Sequence, residues 1–282
     1  MGQIERSIKK IMASRLIKFF VWLAAIFTMG ILFFIVGFIL WKGIPAMNWD
    51  LFAWEYTTKN VSMMPAIIST LIMIAASLVI SVPIGVFTAF YLVEYADRGN
   101  RLVYWIRLAT DTLSAVPSIV YGLFGMLFFV NAIFKTYSHI AGALTLTIMI
   151  LPIIISSTEE ALLSVNNSLR MGSLALGAGK LRTIFTVVLP VAMPGILSGV
   201  ILATGRIVGE SAALLYTMGT SSGMIQSMLS SGRTLATHMY VLSSEGLHVE
   251  EAYATGSVLI VLVLLINGLS TRIGNRLGSG GK

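Results

Sequence analysis

Arg206 and Glu210 stand four residues apart where an uncharged run, Thr183 to Gly205, gives out. On a helix this spacing puts both side chains on one face, one turn apart. A guanidinium offers two parallel N–H donors to an oxyanion, and a carboxylate one turn on can neutralise it while the anion is away. The pattern suits passage of an anion through an apolar layer. A structural ion pair that locks one helix to a neighbour uses the same two residues and stands as the alternative. Asp111 is a further acid at the edge of an apolar run. Arg107 precedes it by four residues, so an ordinary helical ion pair competes with a place in the substrate path.

Other suggestive patterns fail on their chemistry. Ala178, Gly179, Lys180 and Leu181 look like the end of a phosphate-cradling loop, but Leu174 stands where its first glycine belongs and Leu181 where a hydroxyl must hold magnesium. Gly219 to Gly223 matches the spacing of a nucleophile elbow, which needs a strand-to-helix turn; after a long apolar helix it reads as a loop. His139, His238 and His248 lack the spacing of metal ligands, and the absence of Cys removes thiolate chemistry. No catalytic residue, metal or resident cofactor is expected, so any energy source must lie in another chain.

The elements that must position Arg206 follow from composition. Of the 282 residues 56% are hydrophobic and 11% charged, against about a quarter charged in a soluble domain. Six runs are free of charge: Phe19–Trp41, Val61–Val93, Thr112–Phe134, Thr136–Thr158, Thr183–Gly205 and Ala252–Thr271. A helix needs roughly 20 apolar residues to cross a bilayer, so an all-α membrane protein with six transmembrane helices is predicted. The first run is too long for a cleavable signal and ends in no small-residue site, and it reads as an uncleaved span. Gly195, Gly199, Gly209 and Ala213 share the face of Arg206, a stripe along which another helix can come close. The chain divides into an amino-terminal tail, first span and outer loop over 1–65, a core over 66–271 and a tail over 272–282.

Cytoplasmic loops hold an excess of Lys and Arg. With the amino terminus inside, six spans put fourteen basic residues on the cytoplasmic side and only Lys42, Lys59, Lys135 and Arg233 outside; Arg206 alone falls in or beside a span. Both termini are therefore expected in the cytoplasm, and the net charge of +7 is explained without a nucleic acid partner. Outside, Thr234 to Glu251 interleaves Leu235, Met239, Leu242 and Val249 with polar residues, as in a helix lying on the membrane surface.

Between spans four and five, residues 159–182 carry Leu169, Leu174, Leu176 and Leu181 among polar groups. Apolar side chains in a solvent loop point to a docking surface rather than a bare connector. The same stretch orders Met171-Gly172-Ser173, three residues, Gly177, nine residues, Val187, one residue and Leu189-Pro190. Here the chain resembles the membrane subunits of binding-protein-dependent ABC importers, whose signature begins Glu-Ala-Ala and keeps that spacing through Gly to Leu-Pro. Met171 replaces the Glu, which removes a salt bridge from that position without removing the docking. The resemblance implies short coupling helices, with Arg170, Met171, Gly177 and Lys180 at the ATPase contact, in a type I importer permease fold.

Two further strings narrow the resemblance to the phosphate permeases, of the PstA type: Ala115 to Leu123 in span three and Gly205 to Ala212 in span five. The likeness runs from about Pro65 to Gly268. It implies a second homologous permease, two copies of an ATPase that use ATP and Mg, an extracytoplasmic phosphate-binding protein, and a multi-pass place in a bacterial or archaeal cell membrane. The sister phosphate permease shares close versions of both strings. An importer of another oxyanion or polar solute is a second reading, and an ion-driven carrier or channel a third; the latter is expected to carry inverted repeats, and none is visible.

Overall fold

In an apolar layer the backbone must bond to itself, so uncharged runs become helices. The computed structural model describes residues 2–97 and 99–279, with side chains over 14–97 and 99–272. Arg98 and Lys282 of the basic tally lie outside the described residues, as do the side chains of Arg6, Lys9, Lys10 and Arg276. Helix α1 (Gly2–Gly43) leads through a loop to α2 (Met64–Phe90), which a π-helical turn extends over Tyr91–Tyr95. Next come α3 (Arg101–Ser114), α4 (Ser118–Gly125) with its π-helical continuation Met126–Phe134, and α5 (His139–Ser164). After α6 (Asn167–Ala175) and α7 (Lys180–Thr183), a π turn feeds α8 (Leu189–Gly209), followed by α9 (Ala212–Thr217), α10 (Leu235–Glu245) and α11 (Val249–Ser279).

Among the described residues, five helical stretches are long and apolar enough to cross a membrane, and the bent pair Arg101–Ser114 and Ser118–Phe134, taken as one span, makes a sixth. The face that holds α3, α6 and α7 is here called the basic face, and the opposite one the far face. Local chemistry sets several of the starts: Asn100, Asn166 and Ser138 each turn a side-chain oxygen onto an unpaired N–H at the head of α3, α6 and α5.

Helix α5 is the axis of the bundle. Leu146, Ile150 and Ile154 on it are fully buried and pack with Met73 of α2, Ile207 of α8 and Leu214 of α9. Small residues let its neighbours come close: a Cβ on Gly85 would sit 2.7 Å from Ile154, one on Gly195 would sit 2.6 Å from Ala161, and Gly199 faces Ser157. Helix α1 is peripheral and packs along α11, with an aromatic edge between Phe38 and Tyr253.

Four sequence expectations need correction. Span three does not start at Thr112, because the chain turns by 105° between Ser114 and Ser118. Pro117 lacks the N–H a helix interior requires, so α3 stops short of it and lies along the basic face as an amphipathic helix. Glu159 and Glu160 belong to α5, which runs on to Ser164, so the connecting loop is shorter than 159–182. Helix α10 exists, but Leu235 and Leu242 are buried against the rest of the protein, so its apolar side is not spread on lipid. Finally, Arg107 pairs with Glu159 at 2.6 Å and not with Asp111; this contact ties α3 to the end of α5.

At the far face the loop after α9 is stapled down. His139 Nδ1 lies 2.7 Å from the Ser230 carbonyl, which can only accept, so Nδ1 carries the proton and Nε2 accepts from Ser69 Oγ at 3.1 Å. Met218 O takes the N–H of Gly232, and Thr70 Oγ1 takes that of Leu235.

Candidate functional site

Helix α8 ends at Gly209, and Glu210 leaves it in an extended conformation, φ −79° and ψ 125°. The carboxylate is buried and turns forward, where Oε1 accepts from the N–H of Ala213 at 3.0 Å. An acceptor at the head of a short helix satisfies an N–H that has no partner within it. This break abolishes the helical spacing on which an Arg206–Glu210 pair depended, and the described residues contain no ion pair between the two. Arg206 itself is half-buried in the last turn of α8, with neither a carboxylate nor a hydrogen-bond partner among the described residues.

The glycine stripe is real but is used by α5, at Ala161 and Ser157; Gly209 at its end meets nothing within 4 Å. The neighbours of Arg206 on α8, Ala203 and Ile207, share a core cluster with Tyr121. Tyr121 is buried and donates to the Leu113 carbonyl at 2.7 Å, holding α4 against the end of α3 across the Pro117 bend. One residue on, a Cβ on Gly122 would stand 2.8 Å from Ala213 Cα. A Cβ on Gly125 would stand 2.6 Å from the Thr217 methyl. The strings Ala115–Leu123 and Gly205–Ala212, remote in sequence, thus meet where two helices are broken. Their junction presents a free guanidinium beside irregular backbone, an arrangement that suits an anion in a wet cavity between spans.

Asp111 is not brought to this junction. It is exposed on α3 and borders a shallow cleft with Gly99, Arg101 and Arg107 at the basic face.

The coupling residues gather at the same face. Met171 is 61% exposed, and Leu174, Leu176 and Leu181 also stand in the open, the surface expected of a docking site. Gly177 takes φ +83° at the end of α6, a left-handed conformation, and its N–H bonds back to Leu174 O. Ser173 and Thr183 hydroxyls meet at 2.9 Å and close the turn. Arg170, in contrast, points inward: Nε and Nη2 reach Glu94 Oε1 at 3.0 Å, Nη1 reaches Val165 O and Nη2 Leu162 O, both at 2.7 Å. Lys180 lies 4.7 Å over the Tyr95 ring.

The sequence assigned no role to Glu94, Tyr121 or His139. The one available signal was Glu94, a lone acid just after a long uncharged run, which needs a cation nearby. A fourth group lies at the far face. Arg233 is only 6% exposed and stacks over Tyr56 at 4.8 Å, and the Tyr56 ring meets buried His238 edge-on at 6.3 Å. Burial, reinforced by the charge of Arg233, pushes the His238 imidazole down to about 3.

The family model described as the binding-protein-dependent transport system inner membrane component matches residues 81–279. The chain belongs to that family. Within it, the chain is 38% identical over 207 residues to a probable ABC transporter permease protein, YqgI, of Bacillus subtilis, a match covering 68% of this chain and 70% of the relative. It is also 38% identical over 198 residues to the phosphate transport system permease protein PstA of Pasteurella multocida, covering 69% and 70%. Among solved structures, a bacterial alginate ABC transporter in complex with an alginate pentasaccharide-bound periplasmic protein aligns with TM-score 0.65 and 13% identity over 95% of both chains. At that identity the likeness establishes the fold alone. As a member of this family the chain is a multi-pass inner-membrane component with the type I importer permease fold and no catalytic role of its own. Both strings at the Arg206 junction, and the whole coupling segment, fall inside the matched range.

Proposed function

We propose that this chain is the permease subunit of an ATP-driven phosphate importer and forms half of the translocation path. Arg206 carries the reading: it is a guanidinium in a spanning helix with no counter-charge among the described residues, at the junction of the two strings that resemble phosphate permeases. Phosphate bears one to two negative charges, and its oxygens match the parallel N–H donors of arginine. Water in the path keeps the unpaired guanidinium charged until the anion arrives. Glu210 acts from behind, by fixing the start of α9 against α4.

The same reading supplies the partners. A second homologous permease completes the path, an ATPase dimer using ATP and Mg docks on the exposed leucines of α6 and α7, and an extracytoplasmic binding protein delivers phosphate at the far face. The bias of Lys and Arg supports a cytoplasmic basic face with both termini on it. Relatives named as phosphate permeases support the substrate. The test is uptake of radiolabelled phosphate into vesicles holding the assembled complex, with wild-type, Arg206→Lys and Arg206→Gln chains. Uptake that sulfate suppresses as well as phosphate does would move the assignment to a broader oxyanion importer. Full uptake by an assembled Arg206→Gln complex would refute the anion role.

A further inference from the structure

The coupling segment is joined through the chain to α5 and α8, and to no other span. Motion applied to α6 and α7 can therefore pull on those two helices directly, whereas α2 can follow only through non-covalent contact. The structure places such contacts on the last residues of α2 and on its π-helical extension Tyr91–Tyr95. Arg170, on the first arm of the segment, binds Glu94 at 3.0 Å with both side chains largely shielded from solvent. Lys180, on the second arm, lies over Tyr95, and Phe185 just beyond it stacks on Phe90 at 6.3 Å and 29°. Both arms thus grip the same turn. A π-helical turn is a strained insertion that recurs at functional sites.

Arg170 also binds the Leu162 and Val165 carbonyls at the end of α5, the first of which also takes the capping N–H of Val165. One side chain on α6 therefore joins α2 and α5. A shielded ion pair adds little net stability against an apolar substitute, yet it fixes one geometry and rejects others.

We propose that Glu94 and Arg170 are positioning residues that weld the coupling segment to α2, so that α2 moves as one body with the docked surface. This rests on the importer reading above and assigns to Arg170 a role other than contact with the ATPase. Its consequence is that the weld transmits work without taking part in nucleotide or phosphate binding.

The experiment uses the assembled complex in vesicles, measuring ATP hydrolysis and phosphate uptake in the same preparation. Glu94→Ala removes the counter-charge and is expected to lower phosphate moved per ATP by roughly tenfold while hydrolysis continues. Glu94→Gln, which keeps an acceptor for Arg170, is expected to fall between. Because the chain has no Cys, Phe87→Cys with Phe185→Cys, two exposed positions on one apolar cleft between α2 and the second arm, can be joined by a short bifunctional thiol reagent. The link takes the place of the Phe185–Phe90 stack, so α2 joined to its partner arm should keep transporting with Glu94 and Arg170 intact, and the link should restore the ratio in Glu94→Ala. A wild-type ratio in Glu94→Ala overturns the proposal. So does a link that blocks transport, which shows that α2 and the segment must move apart; this arm decides the matter if Glu94→Ala fails to assemble. A wild-type complex that takes up no phosphate would instead sink the importer reading.

Discussion

Gly122 of α4 faces Ala213 of α9 so closely that a Cβ on the glycine would stand 2.8 Å from the alanine Cα. The neighbour there is backbone, which cannot swing aside, so any side chain must push the two helices apart. Overpacking of this kind costs about 1–3 kcal/mol. Gly122→Val should lower the thermal midpoint of the purified protein and reduce phosphate uptake, because the Arg206 junction opens. An unchanged midpoint with full uptake would show that the contact is slack.

Arg206 and Glu210 should behave differently from the two halves of an ion pair. Arg206 has no partner to orphan among the described residues, so Arg206→Lys and Arg206→Gln should leave stability unaltered while uptake falls by roughly tenfold for Lys, which loses the planar fork, and further for Gln. Glu210→Ala should cost about 1 kcal/mol of stability by leaving the α9 N–H unsatisfied. Thermal unfolding beside uptake separates the two outcomes. Additive effects in the double variant are expected; strong coupling would mean that the pair forms after all.

Gly177 has nothing within 4 Å of where a Cβ would go, so its value lies in its φ of +83°. A residue with a side chain pays about 1–2 kcal/mol for that conformation. Gly177→Leu should still insert into the membrane, but α6 and α7 will no longer present Met171, Leu176 and Leu181 on one surface. Reduced co-purification of the ATPase, together with loss of uptake, is the expected result. Normal transport with the ATPase attached would remove the coupling role.

His238 makes the far face sensitive to acid. Its imidazole is held down to about 3 in the folded protein, against about 6.5 in an unfolded chain. Between those values the unfolded chain binds the extra proton, so stability is full above the upper one and is lost as pH falls toward the lower. The wild-type thermal midpoint should drop between pH 7 and pH 4 by more than that of His238→Leu. Equal drops would show that other groups dominate.

Much of this architecture is visible in uncharged runs, because a bilayer leaves few alternatives to a spanning helix; Val61–Val93 and Met64–Tyr95 agree to within a few residues. What was hidden depends on where a helix stops. Pro117 lies inside the apolar run Thr112–Phe134 and gives no sign of whether it kinks a span or ends one. Glu210 sits at helical spacing from Arg206, and nothing in its immediate surroundings announces that Gly209 closes α8. Once the helix ends there, the spacing of four no longer means one face. Arg107 found Glu159 rather than Asp111 for a related reason: sequence spacing reveals partners along a helix, while the bend at Pro117 decides which other helix lies across from it. Glu94 and Arg170, distant in the chain, could be matched only by two lone charges each requiring an opposite.

Over the middle of the contact between α5 and α8, Gly195 meets Ala161 and Gly199 meets Ser157, small against small, between clusters of larger side chains. Helices that interlock long side chains must lift ridges over one another to move, and over this stretch there are few ridges to lift. This stretch of the seam therefore offers low resistance to shear. Sliding of α8 by even part of a turn would carry Arg206 toward one side of the membrane or the other, converting a displacement at the exposed surface of α6 and α7 into vertical travel of a positive charge.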